Sequence, residues 1–277
     1  MSRLPAPRGS SMLAWKGMVS RPLLLRHIIG QCGCSGRTMQ EHGMSPQQLG
    51  LGLLWYAVFV VSTTFHEAAH GFAALRFGDP TARDAGLVTL DPLPHIQRSP
   101  FGMVIIPILS FILGGWMIGW ASTPYDPRWA YYHRKSAALM ALAGPAANLA
   151  LIVIAALLIR IGILLGVFVQ PEHITWTQTT VAPSSGFAGG AAVAVSILFS
   201  LNVILLVFNL LPVPPLDGSE VLSLFLDEGT AQRYRDLMAQ PAAQIIGLVL
   251  AWRLMDFVVN PVFTAALGLL YPGSSYR

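Results

Sequence analysis

A chain of 277 residues that is 54% hydrophobic, only 11% charged and positive in mean hydropathy (+0.58) is a membrane protein and not a soluble globule. Its net charge of +4 is too small to argue for nucleic acid as a partner, and its two cysteines, Cys32 and Cys34, are too few for a zinc ribbon or a disulfide framework. What remains is an all-α, polytopic helical bundle.

Residues 1–40 carry six basic residues and no acidic one. Their apolar patches are too short to span a bilayer and lack the unbroken core of a signal peptide. The segment 1–45 is therefore expected to be a basic, disordered tail, or upstream sequence ahead of a true start at Met44. Charge-free blocks follow at 42–66, 101–125, 136–159, 173–216, 237–252 and 257–276. At about 20 apolar residues per crossing they allow about four or five transmembrane helices.

The first span, near 51–75, leads into an irregular loop, 76–100, rich in proline and glycine. A short strand is expected there at Leu87–Leu90. Block 101–121 is broken by Pro107 and Gly114-Gly115. Further spans begin near Ala137 and Gly190, and a last apolar region covers about 241–271, interrupted by Arg253 and Asp256, which are spaced to pair. Aromatic residues at 120, 125, 129, 131 and 132 read as an interfacial belt. The membrane core is taken as 46–225, and 226–277 as an amphipathic segment plus the final membrane region.

The first span ends in His66-Glu67-Ala68-Ala69-His70. Residues four apart share one helix face, so His66 and His70 offer two imidazoles to one metal ion. Glu67, about 100° round the helix, can reach a water on that ion. A hydrolytic zinc site needs a third protein ligand, commonly acidic. Asp217 is the best candidate, because it follows a charge-free run at the end of a span, next to Gly218.

Basic residues cluster in loops 76–100, 121–136 and 219–240, while 168–188 has no Lys or Arg. The first three are thus expected on the cytoplasmic side. Asp217 and His70 can then share a metal only if block 101–121 is a re-entrant segment that enters and leaves by the same face.

The pairing of His-Glu-x-x-His with Asn209-Leu210-Leu211-Pro212-Val213-Pro214-Pro215-Leu216-Asp217-Gly218 resembles the site-2 protease family of intramembrane zinc metalloproteases, in its short prokaryotic form without a PDZ domain. Phe77–Ala82, Leu90–Ile96, Gly119-Trp120 and Ala143–Asn148 match as well, over roughly 50–225. The resemblance implies one Zn2+ held by His66, His70 and Asp217, with Glu67 as the catalytic carboxylate and general base. It also implies that the Gly-Pro-x-x-Asn helix faces the site. Asn148 then lies near substrate as an oxyanion donor, or alternatively packs as polar glue between helices. His95, a loop histidine beside prolines, is an accessory candidate that reads more readily as a structural group than as a ligand. Asp91 stands where the family has Asn, and Gln97 where an acid often follows His-Ile.

The implied activity is hydrolysis of peptide bonds in transmembrane protein substrates within the lipid bilayer of the cell membrane, with the site toward the cytoplasm. A homo-oligomer is compatible with the sequence. Two rivals stay open at this point: a metal-dependent hydrolase of lipid-linked substrates, and a non-enzymatic scaffold or transporter.

Overall fold

The computed structural model of the protein describes residues 45–273. The basic tail, the Met44 start and the Cys32/Cys34 pair lie outside the described residues, as does the Asp256 side chain expected to pair with Arg253. Among the described residues every regular element is helical, with β-structure limited to the isolated bridges Val169–Val181 and Thr175–Gln178.

Helix α1 (Pro46–Arg76) starts at Ser45, whose hydroxyl accepts from the Gln48 N–H while the Gln48 side chain accepts from the Ser45 N–H. This reciprocal cap satisfies two donors that would otherwise be unpaired. The helix stops before Gly78, whose φ of +100° is one that a Cβ would oppose. Asp79 then turns the chain. Its Oδ1 accepts from the Thr81 N–H and hydroxyl, and its Oδ2 from the Asp126 N–H.

Burial pushes the Asp79 carboxyl up, but the Thr81 hydroxyl, the Thr81 N–H and the Asp126 N–H outweigh it and hold the group below its ordinary value. A depressed folded value means that stability is present above the unfolded pKa of about 3.9 and is lost as pH falls through the folded one. Asp79→Ala removes the acceptor of three part-buried hydrogen bonds, at a cost of about 1–3 kcal/mol. Thermal unfolding in detergent should show a lower Tm at neutral pH, with the gap to wild type closing as the pH is made acidic.

Short helices α2 (Thr81–Asp84) and α3 (Pro92–Arg98) follow. The strand expected at Leu87–Leu90 is absent. Leu87 is buried and its N–H returns to the Ala82 carbonyl, and no neighbouring strand is there to pair with. Asp91 caps α3 by accepting from the Leu93 N–H, a role that Asn fills equally well.

Block 101–121 forms a π-helical turn (Phe101–Ile105) and α4 (Ile106–Gly114), bent 112° from α3. Gly115, at φ +76°, ends α4, and the chain then runs back along it without regular structure. Ser110 Oγ accepts from the Ile118 N–H, and the Gly102 carbonyl from the Trp120 N–H at 3.1 Å. The block therefore ends beside where it began. Phe101–Gly114 is also shorter than the about 20 residues that a crossing needs.

Helix α5 (Pro127–Tyr132) is capped by Asp126. Trp129, expected in an interfacial belt, is instead buried, and its indole N–H donates to the Phe77 carbonyl. The neighbouring Trp120, Tyr125, Tyr131 and Tyr132 are exposed.

Two long helices, α6 (Arg134–Leu164) and α7 (Phe187–Leu210), pack with α1 as the centre of the bundle. Beyond them come α8 (Asp217–Leu222), a 3-10 turn (Ser223–Phe225), α9 (Glu228–Met238) and α10 (Pro241–Leu270). α1, α6 and α7 are long and apolar enough to cross a membrane, and the count rises to five if each of two bent helix pairs is one span.

One core joins α6, α7 and α10 through Ile152, Ala155 and Ile159, Phe199, Val203 and Val207, and the i, i+4 stripe Ala251, Met255, Val259, Phe263 and Leu267. A second joins α1 and α7 to the 101–121 block through Trp55, Phe59, Met103, Phe111, Met117, Ile197 and Leu201. Large apolar side chains such as Leu53, Leu113, Leu157 and Leu164 face outward, the surface a bilayer covers.

Candidate metal centre

His66 and His70 lie on the buried face of α1, one turn apart, their rings crossing edge to face at 83°. Asp217 arrives from the other end of the sequence. α7 ends at Leu210, and the turns Leu211–Val213 and Val213–Leu216 bring the first residue of α8 over the imidazoles. Gly218 makes this possible by close approach, since a Cβ there would enter the backbone of Leu210 and Leu211.

The three side chains converge. The two Nε2 atoms are 2.9 Å apart; Asp217 Oδ2 is 3.2 Å from that of His66, and Asp217 Oδ1 is 3.4 Å from that of His70. The three ligand atoms all lie within 4.8 Å of one another. His70 Nδ1–H donates to the Met140 carbonyl at 2.7 Å, which in the neutral imidazole leaves Nε2 without a proton. His66 Nδ1–H donates to Asn148 Oδ1, also at 2.7 Å. Acceptors thus face acceptors, and the buried Asp217 Oδ2 finds no donor. A cation resolves that arrangement, and two imidazole nitrogens with one carboxylate suit zinc. The residues fit the metal.

Helix α6 comes close to both imidazoles at Gly144, where a Cβ would collide with His66 and His70. Gly144→Ala would ordinarily favour a helix interior by about 0.8–1 kcal/mol. Here the added Cβ meets two buried, hydrogen-bonded rings, so it is expected to weaken zinc binding, with overpacking of about 1–3 kcal/mol offsetting the helix gain. Metal analysis beside a melting curve checks this, and a lower Tm with full zinc content would contradict it.

Asn148, one turn beyond Gly144, is fully buried behind His66, not exposed toward a substrate. Its carbonyl oxygen is held by His66 and its amide N–H by Asn202 Oδ1 at 2.9 Å. Both ends of its amide are thus engaged between α1 and α7, the arrangement of a polar link between helices. His95 stands apart from the cluster. It is buried, and its Nε2–H donates to the Thr89 carbonyl at 3.0 Å, closing the loop before α3. Glu67 is buried, and its backbone carbonyl accepts from the Thr123 hydroxyl, which ties the chain returning from α4 to the His66–His70 turn. Sequence reasoning missed Gly144 as the point of closest helix approach, and Asn202 altogether. An asparagine inside a charge-free apolar run was the available signal for the latter.

Residues 55–254 match the profile of peptidase family M50. The chain belongs to that family. This M50 peptidase is 33% identical over 219 residues to YwhC of Bacillus subtilis (strain 168), named as a zinc metalloprotease, covering 78% of this chain and 89% of the relative. Rip2 of Mycolicibacterium smegmatis, named likewise, is 32% identical over 183 residues, 66% of this chain and 61% of the relative. Rip2 of Mycobacterium tuberculosis (strain H37Rv) is 31% identical over 199 residues, 70% and 67%. No solved structure gives a significant match. The M50 peptidase is thus a zinc metalloprotease and a multi-pass membrane protein whose substrates are proteins. Neither a lipid hydrolase nor a scaffold or transporter agrees with that membership.

Proposed function

We propose that this M50 peptidase hydrolyses peptide bonds in or beside transmembrane segments of other membrane proteins. Zinc would be held by His66, His70 and Asp217, with Glu67 as general base. The observation that carries this reading is the convergence of two imidazole Nε2 atoms and one carboxylate, at the ends of α1 and α7, inside a bundle whose outer surface is apolar.

Zinc bound there supplies a lowered water pKa, toward 7, and polarises the scissile carbonyl. The chain's own residues do the rest. The Glu67 carboxylate, next to His66 on the same turn, takes a proton from the attacking water and delivers it to the leaving amide nitrogen. Met140 O and Asn148 Oδ1 hold the two imidazoles by their Nδ1–H groups, so that Nε2 faces inward. A transmembrane helix hides its carbonyls in i to i−4 hydrogen bonds, so a substrate must unwind locally at the site.

The basic loops 76–100 and 219–240 adjoin the His66–His70 helix and Asp217 in sequence, and Thr123 of 121–136 donates to the Glu67 carbonyl, while 168–188 carries no Lys or Arg. That asymmetry supports an active site toward the cytoplasm. The return of block 101–121 to its own starting point supports the re-entrant path that this topology requires. The test is reconstitution of the full chain in lipid bilayers with a transmembrane peptide, and mapping of the products by mass. Cleavage within the apolar stretch or at its cytoplasmic border is expected. Cleavage confined to water-exposed tails would overturn the intramembrane reading.

A further inference from the structure

His66 can bind zinc through Nε2 only if its proton sits on Nδ1, and its partner there, Asn148, could present either an oxygen or an NH2 group to it. An asparagine side chain is nearly symmetric in shape, so something must decide which end faces the histidine. Asn148 bonds onward to Asn202 on α7, also fully buried and equally ambiguous taken alone. The ambiguity ends one bond later. Asn202 Nδ2 lies 2.8 Å from the Leu198 carbonyl and 2.9 Å from Ser62 Oγ. A backbone carbonyl accepts and never donates, so the Asn202 end beside it must be the NH2.

The rest follows by alternation. Asn202 Oδ1 then faces Asn148, which must donate to it with Nδ2. Asn148 Oδ1 then faces His66 Nδ1, which must carry the proton. We propose that Asn202 is a positioning residue of the metal site. Anchored on the Leu198 carbonyl, it fixes the direction of the hydrogen-bond chain Asn202–Asn148–His66 and so keeps the His66 Nε2 lone pair turned to zinc. The chain closes on α1 itself, since Ser62 lies one turn before His66. Three helices thereby act on a single proton. His70 needs no such relay, because its Nδ1–H meets the Met140 carbonyl directly. The proposal rests on the reading that His66 is a zinc ligand.

The test measures zinc affinity of the full-length protein in detergent by competition with a chelator of known affinity. Asn202→Leu removes the anchor and frees Asn148 to turn its NH2 toward His66, and affinity should fall about ten- to hundredfold. The Asn148→Asp background separates this from loss of packing. A carboxylate is acceptor-only and holds the Nδ1 proton without help, so adding Asn202→Leu there should cost no affinity. An equal loss in both backgrounds would mean that Asn202 is structural and would overturn the relay.

If the variants fold poorly, 15N spectra of histidine-labelled, zinc-free wild type decide. An Nδ1–H tautomer at His66 is expected, and an Nε2–H tautomer or a mixture overturns the proposal. A His66→Ala variant that binds zinc as well as wild type would refute the ligand reading itself, and the relay with it. Loss of zinc with His66→Ala but not with Asn202→Leu would remove the relay alone.

Discussion

Glu67→Gln is expected to bring peptide cleavage down by about 10²–10⁴-fold, the range that a positioned general base supplies, while leaving one zinc per chain. The substitution keeps the shape of the side chain and removes its ability to take a proton. Neither His66, His70 nor Asp217 depends on it for its inner hydrogen bonds, since the imidazoles are held by Asn148 and the Met140 carbonyl. Product formation from a reconstituted transmembrane peptide, measured beside zinc content, separates chemistry from metal binding. A Glu67→Gln protein that cleaves at the wild-type rate would remove Glu67 from the mechanism. One that loses zinc as well would make it a structural part of the site.

Asp217→Ala is expected to act the other way, with zinc lost first and activity following. Without the carboxylate only two imidazoles remain, one protein ligand short of the three that catalytic zinc sites keep. The loss of affinity should exceed the roughly ten- to hundredfold that changes behind the ligands cost. Asp217→Asn separates charge from shape, since it keeps an oxygen near His66 and His70 but removes the negative charge. Metal analysis after dialysis should order the proteins wild type, then Asp217→Asn, then Asp217→Ala. Stoichiometric zinc in Asp217→Ala would assign the third ligand elsewhere.

The site was legible where its logic is local or where chemistry is scarce. His66, Glu67 and His70 are readable because a helix turn brings residues four apart together. Asp217 is readable because it is the first acid after a long apolar run, at the end of a span. The breaks in block 101–121 were also visible, in Pro107 and Gly114-Gly115, although not the bond from Trp120 to Gly102 that brings its ends together.

What the sequence hid depends on which helices meet. Gly144 looks like an ordinary small residue until α6 lies against the imidazoles. Asn148 was expected either near substrate or as polar glue between helices, and its bonds to His66 and to Asn202, 54 residues away, depend on which helices meet. Trp129 was grouped with exposed aromatics by composition, whereas the end of α1 offers its indole a carbonyl and a buried seat. The strand expected at Leu87–Leu90 had suitable residues but no partner, and β-propensity is expressed only against a neighbour.

Anomalous scattering at the zinc edge from crystals of the full chain tests the central claim most directly. One peak should lie between His66 Nε2, His70 Nε2 and the Asp217 carboxylate, at about 2.0–2.2 Å from each ligand atom. A peak at any other residues, Cys32 and Cys34 included, or zinc bound with Asp217 turned away, would contradict the account.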